Sequence, residues 1–154
     1  MISIKKILCP TDFSDFSTHA LTYAVSFAQQ YKAKLYLLHV VDVFLHDPAY
    51  FAPYVPNGSA FEDFEKKAMT RLEEMCKKNV PAGMDAEPVV RVGRAFVEIV
   101  RAAREMDVDL IVIATHGRTG LSHAMFGSTA ERVVRKASCP VLSIKHPEHE
   151  FAMP

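Results

Sequence analysis

The chain carries no net charge, no long apolar run and no paired cysteines, and each absence removes a class of function. Eighteen basic residues balance eighteen acidic ones among 154, so no overall field draws the protein to nucleic acid or anionic lipid. The longest uninterrupted apolar run within a strand-like stretch, Leu110 to Ala114, is far shorter than a membrane span. The N-terminal Met1-Ile2-Ser3-Ile4-Lys5-Lys6 lacks the apolar core of a signal peptide. Cys9, Cys76 and Cys139 are odd in number and widely spaced, forming neither a Cys-x-x-Cys pair nor a disulfide framework. They read as reduced, packing cysteines. A cytoplasmic protein without nucleic-acid or membrane partners is the expectation.

What is present is ordinary globular material, 49% apolar and 23% charged, in a length suited to one core. Residues 1–146 read as a single domain and 147–154 as a polar tail. Residues 5–10 suit a short strand that Pro10 stops, and Thr11-Asp12-Phe13-Ser14 follows with helix-capping residues. From Asp15 to Tyr31, Ala20, Ala24, Phe27, Ala28 and Tyr31 recur at helical spacing. Lys34 to Val41 is a strand apolar on both faces. Asp42 to Asn57, with three prolines, fits no period and reads as a loop or broken helix. Ser59 and Glu62 match a capping box, after which Phe61, Phe64, Ala68, Leu72 and Met75 form one stripe of a helix ending near Asn79. Glu87–Val92 is a strand, and Ala95–Met106 a helix with Phe96, Ile99, Val100 and Ala103 inward. Leu110–Ala114 is the fourth strand, a helix opens at Gly127-Ser128, and Pro140–Lys145 is the fifth strand.

Alternating strands and helices imply an α/β fold: a parallel sheet with right-handed crossovers and helices on both faces. The most apolar strands, 34–41 and 110–114, belong inside. Arg91 and the polar residues of 140–145 send the other two to the edges. The order 3-2-1-4-5 satisfies this and makes a doubly wound sheet. Its switch point lies between strands one and four, where ligands settle outside the carboxyl ends. Those ends are Cys9-Pro10-Thr11-Asp12 and Ala114-Thr115-His116-Gly117. The stretch from Asp109 to Arg135 leaves a buried strand, passes a glycine-containing loop and enters a helix. Such a helix start presents unpaired N–H groups and attracts anions, phosphates above all. It is neither a Walker loop nor a dinucleotide fingerprint, since Gly-x4-Gly-Lys-Ser/Thr and Gly-x-Gly-x2-Gly are both missing.

Pro10-Thr11-Asp12-Phe13-Ser14, His39-Val40-Val41-Asp42, and Thr115-His116-Gly117-x9-Gly127-Ser128-Thr129 followed by Glu131-Arg132-Val133 together resemble the universal stress protein family. The resemblance runs from Lys5 to Lys145, and implies the adenine nucleotide alpha hydrolase-like version of the doubly wound sheet. In the nucleotide-binding branch the pattern is Gly-x2-Gly-x9-Gly-Ser/Thr, with ATP between the first and fourth strands. Carried over, Pro10, Thr11, Asp12 and Val40 line the adenine pocket. Gly117 and its neighbours His116 and Arg118 lie along the ribose and phosphates. Gly127, Ser128, Thr129 and Ala130 offer backbone N–H groups, with the Ser128 hydroxyl, to the phosphate chain. Ala114 stands where the pattern has its first glycine, a methyl that is either tolerated or crowds the ligand.

These residues also have structural readings. Asp12 either lines the crevice or caps the first helix, and Ser128 with Glu131 matches a capping box whose carboxylate would compete with phosphate. His116 either bonds a ribose or phosphate oxygen or braces its loop, and Arg118 either neutralises phosphate or is solvated. Met125 and Phe126 read as core anchors, and the His146/His149 tail lacks the ordered scaffold a metal needs.

The resemblance implies a regulator that binds ATP or AMP and responds to stress or energy state through the loops at 43–58 and 118–126. A nucleotide-free dimeric interaction protein and a slow ATPase are the alternatives. Phosphoryl transfer needs a charge clamp and a positioned nucleophile; here only His116, Arg118 and His123 are candidates, with no Walker lysine. Mg²⁺, if used, arrives with the triphosphate, since no protein cage for it is visible. The exposed edge at Pro140–Lys145 calls for a cover. Related proteins pair this strand with its twin, so a homodimer is expected.

Overall fold

The computed structural model describes residues 1–42, 59–117 and 127–147, without the side chains at 59–61. In chain order the elements are β1 (Lys6–Pro10), α1 (Asp15–Tyr31), β2 (Lys34–Val41), α2 (Ser59–Asn79), β3 (Ala86–Val92), α3 (Ala95–Glu105), β4 (Leu110–Ala114), α4 (Ser128–Lys136) and β5 (Val141–Ile144). The five strands form one parallel sheet in the order β3-β2-β1-β4-β5. This is the expected doubly wound arrangement, of the adenine nucleotide alpha hydrolase-like class. Among the described residues no helix is long and apolar enough to cross a membrane.

The strands are apolar on both faces because each face is covered by helices. Ile7 and Cys9 of β1, Leu35 and Leu37 of β2, and Leu110, Val112 and Ala114 of β4 join Ala20, Leu21, Ala24 and Ala28 of α1 and Leu72 and Met75 of α2. The alternate residues Leu8, Leu38, Ile111 and Ile113 meet Ile99, Ala102 and Ala103 of α3 and Ala130 and Val133 of α4. The two-residue period of the strands thus sorts the core into two halves. Cys9 is wholly buried, and burial first, then its neighbour Cys76, pushes its thiol up to about 12. No reactive thiolate exists there at neutral pH. Cys76 and Cys139 are half-buried and likewise unbridged.

Some side chains depart from their expected faces. Phe64 and Tyr31 stand at the margins of their helical stripes and are exposed at 46% and 43%. The middle of the α2 stripe, Ala68, Leu72 and Met75, is buried, and Tyr31, the last residue of α1, stacks on half-buried Phe27. Phe96 and Val100 are half-buried, whereas Ile99 and Ala103 are buried. The side chains of Ser59 and Phe61, Met125, Phe126 and His149 lie outside the described residues.

The central pair, β1 and β4, is in register only at Ile7↔Leu110 and Leu8↔Ile111. Beyond it β1 stays with β2 as far as Pro10↔Leu38, and β4 stays with β5 as far as Ala114↔Ile144. The opposite end of the seam is closed by Asp109. Its Oδ2 accepts the N–H groups of Lys5 at 2.8 Å and Lys6 at 2.9 Å, and its own N–H donates to the Lys6 carbonyl at 2.9 Å. Asp109→Ala leaves two strand amides without their acceptor. We expect a loss of about 1–3 kcal/mol in urea unfolding, against less than about 0.5 kcal/mol for Glu73→Ala on the exposed face of α2.

Candidate functional site

Where β1 and β4 part, their carboxyl ends and the starts of α3 and α4 enclose a cavity of about 280 Å³, close to the lower end of the range for small-molecule sites. Pro10, Thr11, Asp12, Val40, Ala114, His116, Gly117, Gly127, Ser128, Thr129 and Ala130 all line it. Of the residues expected there, Arg118 alone lies outside the described residues. Two stretches a hundred residues apart in sequence thus meet in one crevice, as the switch point requires.

The β1 side is built from a turn held by its own side chains. Thr11 donates its N–H to the Leu38 carbonyl at 2.8 Å, and its hydroxyl accepts the Phe13 N–H at 3.0 Å and pairs with the Ser17 hydroxyl at 2.9 Å. Asp12 accepts the N–H of Ser14 at 3.0 Å and also its hydroxyl. It is therefore not the cap of α1: Ser14 is, with backbone in the extended region and its hydroxyl accepting the Ser17 N–H at 3.2 Å. Phe13 between them has φ 64°, a left-handed conformation costly for a bulky side chain. Its ring is gripped from two sides, by the Arg71 guanidinium of α2 at 4.2 Å and the His39 ring of β2 at 4.4 Å. His39 also bonds the Thr11 carbonyl through Nδ1 at 2.8 Å. This clamp holds the Asp12 carboxylate at the crevice wall.

On the opposite side, Thr115 continues from β4 with its N–H on the Ile144 carbonyl at 3.0 Å, while its own carbonyl accepts the Gly127 N–H at 2.5 Å. That second bond fixes where α4 begins. Gly127, not Ser128, is the N-cap, and no side chain caps it. The capping box read at Ser128 and Glu131 is accordingly not formed. Glu131 sits one turn in and pairs with Arg135 at 3.1 Å, so its carboxylate does not occupy the helix start. The N–H groups of Ser128, Thr129 and Ala130 have no acceptor within the helix and carry the positive end of its dipole. Their residues line the crevice. His116 is buried, with Nδ1 3.0 Å from the Thr115 hydroxyl and its ring 6.2 Å from that of Phe16. This is the bracing contact among its two readings, and the same residue lines the crevice.

Two glycines are required for space. A methyl at Gly127 would lie 3.2 Å from the Thr115 carbonyl, backbone that cannot yield without breaking the junction. A methyl at Gly117 would lie 2.5 Å from Asp12 Oδ2, so the two crevice walls touch there. Ala114, in contrast, belongs to the core cluster beneath α1 and is 8% exposed. Its methyl is taken up in packing.

The crevice also contains residues that the motif reading did not single out. Leu38, Ala95, Ile99 and Ile113 give it an apolar wall, and Asp42 a carboxylate at its rim. Asp42 accepts the Ala95 N–H at 3.0 Å, joining the end of β2 to the start of α3. Asp42 closes the motif at 39–42, which was its available signal, though no site role was given to it. Ile99 gave none, since a core residue and a pocket wall share one helical stripe. The arrangement of an apolar slot, a carboxylate and a row of helix amides suits a flat apolar ring joined to an anion, and the donor set is right for phosphate.

A model of the universal stress protein family matches residues 3–145. Over 152 residues the chain is 36% identical to the universal stress protein MJ0531 of Methanocaldococcus jannaschii, covering 95% of this chain and 85% of that one. The solved structure of MJ0577, from the same organism, is 29% identical, with a TM-score of 0.82, and is covered over 96% of this chain and 99% of its own. A universal stress protein solved in complex with cAMP shares the fold at 22% identity and a TM-score of 0.71, covering 92% and 97% of the two chains. The chain belongs to the universal stress protein family.

The contact between the crevice walls has a measurable consequence. Gly117→Ala should cost about 1–3 kcal/mol by overpacking against Asp12. In Asp12→Ala/Gly117→Ala the obstacle is gone, so the double variant should recover at least about 1 kcal/mol relative to the sum of the single changes. Strict additivity in urea unfolding would show that the walls do not touch.

Proposed function

We propose that the protein binds an adenine nucleotide, ATP or AMP, in the crevice between β1 and β4, and acts as a regulator responsive to stress or energy state. The observation that carries this reading is the joining of an apolar slot to an uncapped helix start. Pro10, Val40, Ile99 and Ile113 line the slot, and Ser128, Thr129 and Ala130 open the helix. Adenine needs the former and phosphate the latter. The Asp12 carboxylate, held by Ser14 at the rim, is placed to accept from a ribose hydroxyl or the adenine amino group. The cAMP complex of a protein with this fold supports an adenine ligand.

The site holds few groups that would do chemistry. Among the described residues its polar side chains are carboxylates, hydroxyls and the imidazoles of His39 and His116, and phosphoryl transfer needs positive charge on the transferred group and a positioned nucleophile. Binding rather than turnover is therefore the function assigned. Regulation follows if nucleotide binds one conformation better than another. We further propose a cytoplasmic homodimer formed through β5, whose outer edge has no partner strand in the five-stranded sheet. Pairing it with its twin would satisfy that edge.

Nucleotide at about a hundred times its Kd should stabilise the fold by about 2.7 kcal/mol, raising Tm by about 5–10 °C in a domain of this size. Ser128→Glu places a carboxylate against the same amides. It should leave the unliganded Tm within about 2 °C of the parent and abolish the shift. No shift with ATP, ADP or AMP, or a full shift in the variant, would overturn the assignment.

A further inference from the structure

A second, shallower cavity of about 250 Å³ adjoins the crevice. The two share Asp42, Ala95, Ser128 and Thr129, but the second does not reach Asp12, His116 or Gly117. Its remaining walls are Arg94, Phe96 and Arg132. The Arg132 guanidinium sits over the Phe96 ring, 5.0 Å from its centroid, which restricts where that charge can go. Arg94 is the residue from which α3 starts. Among the described residues lining it, these two cations are accompanied by one carboxylate, Asp42, whose Oδ2 accepts the Ala95 N–H at 3.0 Å. Glu131, beside Arg132 in sequence, is paired with Arg135 instead. Among the described residues the annex is thus cationic on balance, whereas the described lining of the crevice it joins is apolar in its depth and includes no lysine or arginine.

We propose that this annex receives the terminal phosphates of a nucleoside triphosphate, so that Arg94 and Arg132 make the protein select ATP over AMP. The inference rests on the nucleotide reading of the crevice and extends it. The α4 amides satisfy the phosphate next to the ribose, and Ser128 and Thr129 belong to both cavities. A longer phosphate chain on those amides passes directly to the arginines, and a monophosphate ends before them. Guanidinium is suited to this task because it stays charged and can grip two phosphate oxygens at once. Exposure lowers the worth of each contact, to about threefold to tenfold in affinity per arginine.

The test is calorimetric titration of ATP and of AMP, in EDTA, against the parent protein and R94Q/R132Q. The parent should bind ATP about 10–100-fold more tightly than AMP, and the ratio should shrink between 50 and 500 mM salt as the charges are screened. The double variant should bind AMP within about twofold of the parent and ATP no better than AMP. An unchanged Tm in the absence of ligand shows that the variant is folded. Arg132→Lys, which keeps the charge and loses the fork, should fall between the two. Parent protein that binds AMP well but ATP no better overturns the annex alone, as does a double variant that keeps the preference. Failure of the parent to bind either nucleotide overturns the crevice reading and this one with it.

Discussion

The structure depends on how two adjacent strands separate. β1 and β4 share two registered pairs, and their chains then leave the sheet toward opposite faces, β1 into α1 and β4 toward α4. Asp109 locks the seam at one end by accepting the amides of Lys5 and Lys6, where the chain enters β1. With that end closed, divergence is confined to the other, and the gap opens where Pro10-Thr11-Asp12 and Thr115-His116-Gly117 emerge. A doubly wound sheet always contains such a point. In this protein it is sharpened by the 2.5 Å bond from Gly127 to the Thr115 carbonyl, which brings the start of α4 to the edge of the gap. Helix amides and strand ends then face the same space.

In the function we propose, the site works mainly through backbone, and that explains its economy of side chains. The residues with functional weight are those that set backbone position: Gly127 through lack of a side chain, Thr115 through its carbonyl, and Phe13 through a left-handed φ of 64°. Phe13 tolerates that conformation because Arg71 and His39 hold its ring. The cost of order 1–3 kcal/mol for such a conformation is met by packing from α2 and β2. The Asp12 wall is therefore coupled to α2, the helix that follows residues 43–58. Any ligand that moves Asp12 works against Phe13 and its clamp, which gives the crevice a physical route to the rest of the protein.

Much of this was legible in the sequence, for identifiable reasons. Strand order followed from charge and polarity, because Arg91 and Ser143 are tolerated at edges and not in the centre. The strand ends at 10–12 and 114–117 followed from topology, whereas Val40 and the amides at 129–130 came through the family resemblance. What sequence reasoning missed was tertiary in origin. A Ser-x-x-Glu pattern at 128–131 has the local chemistry of a capping box, but the bond from Gly127 to Thr115 starts the helix one residue earlier. Asp12 has the chemistry of an N-cap, yet Ser14 takes that role two residues on. Ile99 and Ala95 reach the crevice because Asp42 fixes the start of α3 far along the chain. Phe64 shares the stripe of α2 yet stands exposed near the start of the helix, a difference that helical period does not register.

The central claim is geometric, and a crystal structure of the protein grown with excess ATP tests it most directly. The account predicts an adenine ring between Pro10, Val40 and Ile113, with its first phosphate on the amides of Ser128 to Ala130. Nucleotide density elsewhere on the surface, or a crevice holding only solvent at saturating ligand, would contradict it.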